Sequence, residues 1–216
     1  MLLLPEHLRL YLCADGAFCG AGSLVEMVEA AIAGGVTCVQ LRHKEASSRR
    51  LYEEALELRA LTKKANIPLI INDRLDIALA MNADGVHLGQ SDLPVAAARQ
   101  IADTLRPHDK FIIGASAHTA EEALAAERDG ADYLGSGAVY PTGSKNDTTV
   151  IGVEGLKTIC AAVQIPVIGI GGIGPQNAAA VLAAGAAGAA VISAILSAED
   201  ITKAARNLRR IIEAAF

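Results

Sequence analysis

The chain has 216 residues, enough for one substantial core and too few for two equal domains. Hydrophobic residues make up 52% and aromatics only 3%, so the core must be close-packed from small and aliphatic side chains, and disorder is excluded. With 24 acidic against 19 basic residues and no Lys/Arg block, the chain lacks the electrostatic footprint of a nucleic-acid binder, and any anionic ligand must be held by local groups.

Cys13, Cys19, Cys38 and Cys160 show neither the paired spacing of a zinc site nor the density of a disulfide scaffold, and read as reduced thiols. The opening Leu2–Leu4 run is cut by Pro5 and Glu6 before a signal-peptide core can form. The Ala178–Ala190 stretch is too weakly hydrophobic and too glycine-broken to span a bilayer. A cytoplasmic protein with no membrane partner is expected.

Eight β-type runs recur along the chain: Leu8–Ala14, Thr37–Arg42, Pro68–Asp73, Gly85–Gly89, Phe111–Ser116, Tyr133–Val139, Pro166–Gly172 and Gly188–Ala194. Between them lie stretches with apolar residues three and four apart, as in Ser48–Ala65 and Ala120–Arg128, the period of an amphipathic helix. Each strand is expected to be followed by one helix. Runs such as Pro68-Leu-Ile-Ile-Asn are apolar on both faces, which suits parallel strands covered by helices. Dividing 216 residues by eight leaves about 27 per unit, which favours a closed α/β barrel, a (β/α)8 TIM barrel forming a single domain over residues 1–216, over an open doubly wound sheet. Ala83-Asp84 and Ala131-Asp132 follow helix C-cap positions and lead into the next strand, with a looser copy at Gly185–Gly188, and read as a structural repeat.

Such a barrel carries its chemistry on the loops leaving the carboxyl ends of the strands. The second strand ends Gln40-Leu41-Arg42-His43-Lys44; pleating puts Gln40, Arg42 and Lys44 on one face, an anion clamp unless Arg42 or Lys44 pairs with Glu45 or Asp73 instead. Asp73 and Asp92 top the third and fourth strands, close enough to share Mg2+. Equally, Asp92 could cap the next helix while Asp73 pairs with Arg42. His87, inside a strand, reads as a packed, hydrogen-bonded residue. Ser116 and His118 read as orienting groups because no nucleophile elbow surrounds the serine, and Thr119 reads as an N-cap. The loop Tyr140–Thr149, with Thr142, Gly143, Ser144 and Lys145, has the composition of a phosphate-closing loop. Gly169-x-Gly171-x-x-Gly174 satisfies the dinucleotide pattern by letter. It lies late in the chain without a following acidic strand end, so the glycines, with Ile192 and Ser193, read instead as a backbone-amide phosphate site. The picture is two anion sites at one mouth, suited to joining two phosphorylated small molecules.

At these residues the sequence resembles the thiamine phosphate synthase family. Gln-Leu-Arg-x-Lys, Asn-Asp-Arg, Ala-Asp-Gly-Val-His-Leu-Gly-Gln-x-Asp, Ser-Ala-His-Thr, Tyr-Pro-Thr-x-Ser-Lys, Ile-Gly-Gly-Ile and Ile-Ser-Ala-Ile occur in the family's order, essentially end to end. The resemblance implies a transferase of thiamine biosynthesis. It couples 4-amino-2-methyl-5-(diphosphooxymethyl)pyrimidine with 4-methyl-5-(2-phosphooxyethyl)thiazole or its 2-carboxy form, by Mg2+-assisted departure of diphosphate. It further implies a pyrimidine diphosphate site at Gln40, Leu41, Arg42, His43, Lys44, Asn72, Ser116 and Lys145, with Arg42, Lys44, Lys145 and Ser116 acting on the reacting groups. It implies Asp73 and Asp92 as Mg2+ ligands, and a thiazole phosphate site at Thr142, Gly143, Ser144, Gly172, Ile192 and Ser193. Ala138 stands where many relatives have proline, Ser144 replaces a common threonine, and Gly143 loosens the loop. A thiazole tautomerase paralogue and a non-catalytic binding barrel are the rival readings. Partners beyond these small molecules are not expected, apart from a possible homo-oligomer.

Overall fold

The computed structural model describes residues 2–20, 22–143 and 149–216. Eight strands, β1 (Leu10–Asp15), β2 (Cys38–Arg42), β3 (Leu69–Asn72), β4 (Gly85–Leu88), β5 (Ile112–Ala117), β6 (Tyr133–Ser136), β7 (Val167–Ile170) and β8 (Gly188–Val191), pair in chain order. The barrel closes where β1 pairs with β8, and every neighbouring pair is parallel. It is the (β/α)8 barrel expected from the strand–helix repeat.

Helices α1 (Leu24–Ala33), α2 (Ser48–Ala65), α3 (Leu75–Ala80), α4 (Val95–Leu105), α5 (Ala120–Arg128), α6 (Gly152–Ala162) and α7 (Ala178–Ala183) each follow one strand. The last unit departs from the expected pattern. β8 is followed by a short α8 (Ser193–Leu196) and then by α9 (Ile201–Glu213). The helix starts are capped as their residue types dictate: Ser47 accepts from the Arg50 amide and Thr119 from the Glu122 amide. Except for β5, which is shifted by one residue, the strands are shorter than the apolar runs predict; β6 stops at Ser136, and the Gly137–Ala138 peptide beyond it is cis.

Strand side chains divide into two layers. Those pointing outward, such as Leu12, Leu41, Ile71 and Leu134, join the helices in one core, and those pointing into the barrel, including Tyr11, Cys13, Cys38, Ile70 and Tyr133, form a second. The four cysteines are free thiols. Burial pushes the Cys38 thiol well above its ordinary pKa. Among the described residues no helix is long and apolar enough to cross a membrane.

Candidate active site

Two cavities adjoin at the carboxyl end of the strands and share Ser116, His118, Gly135, Ile170, Ala190 and Ile192 along their seam. The first, about 290 Å3, takes in Gln40, Arg42, Lys44, Asn72, Asp73 and Asp92. The second, about 440 Å3, lies over β6 to β8 and takes in Thr142, Gly143, Gly172 and Ser193. Ser144 and Lys145 lie outside the described residues.

Alternation along β2 decides which of its residues reach the first cavity. Gln40 and Arg42 point inward. Leu41 is fully buried in the outer core, and His43 bonds the Glu54 carboxylate through Nδ1 at 2.7 Å, so neither side chain faces the cavity. The sequence-based expectation that Leu41 and His43 line this site is not met by their side chains.

Arg42 pairs neither with Glu45 nor with Asp73. Its guanidinium is bound by Asp15, the last residue of β1, which stands directly opposite Arg42 in the β1–β2 register. Both side chains are largely buried, and Arg42 Nε has no hydrogen-bond partner among the described residues. Such an orphaned donor is costly unless a ligand oxygen accepts from it. Lys44, more than half exposed, reaches Asp73 at 3.4 Å.

Asp73 occupies the left-handed backbone region at φ 62°, which aspartate tolerates better than most residues. Burial raises its carboxyl above the ordinary carboxylate range. Hydrogen-bonding contact with Asp92 adds to the rise, and Lys44 opposes it. Asp92 accepts from the Gly89 amide at 2.7 Å and does not cap α4, whose N-cap is Pro94. The capping alternative for Asp92 therefore fails. Two carboxylates in mutual contact form a hard-oxygen donor pair that a divalent cation would relieve. Among the described residues no group of three or more His, Cys, Asp or Glu side chains could hold a metal, so this pair would leave most of a Mg2+ shell to water and substrate oxygens.

A polar network runs from the first cavity into the barrel interior; the sequence reading named Gln40, His87 and Ser116 and missed Tyr11 and Tyr133, which join them. Gln40 Nε2 donates to Tyr11 Oη at 2.9 Å, Tyr11 and Tyr133 hydroxyls meet at 2.7 Å, and Tyr133 Oη lies 3.0 Å from His87 Nδ1. His87 Nε2 in turn lies 3.1 Å from Ser116 Oγ, while Gln90 donates to the Ser116 carbonyl at 2.6 Å. His118 is turned aside to Glu122. In the second cavity Gly171 and Gly172 adopt φ 97° and 64°. A Cβ on Gly172 would lie 2.6 Å from the Pro141 carbonyl oxygen, so only glycine lets the chain pass there. Gly169 packs against Val181 on α7, which accounts for the first glycine of the dinucleotide-like pattern by packing alone.

Residues 10–195 match a family model described as thiamine monophosphate synthase. The chain belongs to this family. The thiamine-phosphate synthase of Chloroflexus aurantiacus is 51% identical over 205 residues, covering 94% of this chain and 92% of that protein. That of Pyrococcus abyssi is 48% identical over 208 residues, 96% of each. The structure of thiamine phosphate pyrophosphorylase from Pyrococcus furiosus superposes with a TM-score of 0.90 at 45% identity, covering 99% of this chain and all of that one. An N-acetylmannosamine-6-phosphate 2-epimerase from Clostridium perfringens, at 20% identity and a TM-score of 0.68, shares the barrel alone. Family membership thus separates this chain from other barrels of the same outline.

Proposed function

We propose that the chain is a thiamine phosphate synthase acting in the cytoplasm on two small phosphorylated molecules, with no nucleic-acid or membrane partner and in a possible homo-oligomer. The observation that carries the reading is the pair of adjoining cavities meeting at Ser116: one bears Arg42, Lys44 and the Asp73–Asp92 pair, the other is lined by glycine backbone. The pyrimidine diphosphate belongs in the first and the thiazole phosphate in the second. In that arrangement the pyrimidine methylene and the thiazole nitrogen face each other across the seam.

The bond from the pyrimidine methylene to the diphosphate oxygen breaks first, its electron pair leaving with diphosphate, and the electron-rich aminopyrimidine carries the cation. The thiazole nitrogen then supplies the electron pair of the new C–N bond; from the 2-carboxy thiazole, CO2 also departs, leaving its bonding pair on C2, which takes a proton from water. No protein nucleophile is needed. Arg42, held by Asp15 and with Nε unspent, and Lys44 neutralise the departing charge, and Lys145, outside the described residues, would add to it. Ser116 and Gln40 orient the ring. Asp73 and Asp92 would hold Mg2+, which when bound supplies further neutralisation of the leaving group.

The test follows thiamine phosphate formation from the two substrates with Mg2+ and with excess EDTA. Product that disappears with EDTA is expected. The double variant Asp73→Asn, Asp92→Asn should fold and lose about 100-fold or more in kcat. Undiminished turnover in that variant would remove the metal assignment, and no product from folded wild-type protein would favour the thiazole tautomerase or binding-barrel readings.

A further inference from the structure

We propose that the buried tyrosine pair Tyr11–Tyr133 sets the hydrogen-bond polarity of the site, so that Ser116 is presented to the ligand as a donor. Tyr11 and Tyr133 are positioning residues that act through His87 and Ser116. This rests on the proposed function for the ligand's identity, but the polarity itself belongs to the ligand-free protein.

The direction of the chain of bonds follows from what each group can give. The Gln40 amide nitrogen only donates, so Tyr11 Oη accepts from it at 2.9 Å. The Tyr11 hydrogen is then directed to the Tyr133 oxygen at 2.7 Å, because the surrounding interior of Cys13, Cys38, Ile70 and Ile168 is made of thiols and aliphatic groups. Tyr133, already accepting, donates to His87 Nδ1 at 3.0 Å. That selects the imidazole tautomer with its proton on Nε2, which donates to Ser116 Oγ at 3.1 Å. One of the two acceptor sites of Ser116 Oγ is thereby filled, and the serine does not spend its own hydrogen on His87. That hydrogen is left for the cavity that Ser116 lines. Reversing the chain would bring two hydrogens to the Tyr11 oxygen and turn its own into the thiol and aliphatic wall.

Two further observations support a built network. Burial holds both tyrosine hydroxyls well above their ordinary pKa, so they stay protonated and able to donate. The neighbouring strands also make room for the rings: a Cβ on Gly114 would overlap the Tyr133 ring, and one on Gly135 would lie 3.0 Å from His87 Cε1. Tyr133 is fully buried and lines neither cavity, so its effect on a ligand passes through His87 and Ser116, whereas Tyr11, equally buried, lies at the floor of the first cavity. The consequence is a preference: a ligand acceptor opposite Ser116 receives the serine hydrogen, a bond that the opposite polarity of the network would withhold.

The experiment begins with long-range 1H–15N correlation spectra of ligand-free protein labelled at histidine, the His87 signal being assigned by its loss in His87→Gln. An Nε2–H tautomer is expected; an Nδ1–H tautomer would overturn the proposal without reference to catalysis. In turnover, Tyr133→Phe should raise KM for the pyrimidine diphosphate about tenfold with kcat changed less than about threefold. In a Ser116→Ala background the same change should add no more than about twofold. A full tenfold effect in both backgrounds would show that Tyr133 does not act through Ser116 and overturn the positioning role. A KM unaffected by Ser116→Ala would overturn the donor assignment. Absence of turnover in wild type with the expected tautomer would sink the proposed function and leave the polarity standing.

Discussion

A guanidinium at a strand end lies wherever its partners hold it, and for Arg42 that partner is Asp15 on the adjacent strand. Removing one member of a largely buried ion pair costs more than the pair contributes, because the other charge is left without compensation. Asp15→Asn keeps the volume and deletes the charge. It should lower unfolding stability by about 3 kcal/mol, read from urea melts, and lower kcat/KM by about tenfold or more as Arg42 loses its orientation. An unaffected kcat/KM would mean that Arg42 is placed by other contacts. Asp15 was not legible in the sequence, although its position, the last residue of one strand beside a strand-end arginine, was a usable signal. What was missing was the register that sets Asp15 opposite Arg42. The inward set Gln40, Arg42 and Lys44 was legible, because alternation is local to one strand. By the same rule Leu41 and His43 had to point away.

The repeated Ala-Asp before a strand has a physical role that the helix-capping reading does not supply. The helix ends do cap in the left-handed region, at Asn82 with φ 58° and Gly130 with φ 97°. Each aspartate then ties the start of the preceding strand to a helix: Asp84 accepts from the Leu69 amide at 2.9 Å and from Arg59 of α2 at 2.5 Å, and Asp132 from the Ile113 amide at 2.7 Å and Arg99 of α4 at 2.6 Å. Asp84 is 2% exposed. Asp84→Ala would leave a buried amide and a guanidinium unsatisfied and should cost about 3 to 5 kcal/mol in unfolding free energy, with the site itself, at the opposite end of the strands, retaining its KM at low temperature. A loss below about 1 kcal/mol would return the repeat to a capping role. The third copy, Gly185–Gly188, carries Ala187 in place of the acid, so the tie was invisible to a pattern that treated all three copies as equivalent. Helix extents were the most legible elements; Ser48–Ala65 and Ala120–Arg128 fall where the apolar period puts them. Strand ends were less so, because an apolar run continues into the loop that roofs a cavity, as at Val139 and Gly172.

Closure is a property of the whole molecule, and its last component is α9. That helix packs Ala205, Leu208 and Ile212 into the outer core, and Glu213 is bound by Arg9 at 2.8 Å and by Arg209 at 2.5 Å, which joins α9 to the residue that leads into the first strand. Leu208→Ala should destabilise the fold by about 2 to 5 kcal/mol in a thermal or urea melt, and by more than a truncation at the exposed Leu105. An effect of Leu208→Ala no larger than that of Leu105→Ala would mean that the last helix is not part of the cooperative unit.

By itself the sequence determined the eight-fold strand–helix repeat, the parallel pairing and the residue types at the strand ends, because period, burial on both faces and capping are read within one element. Only the tertiary structure decided which of those ends meet. Asp15 with Arg42, Asp73 with Asp92, and the line from Gln40 through Tyr11, Tyr133 and His87 to Ser116 join different strands. Tyr11 and Tyr133 lie 122 residues apart in the chain. Register and tilt are set when the barrel closes on itself, so no local pattern contains them.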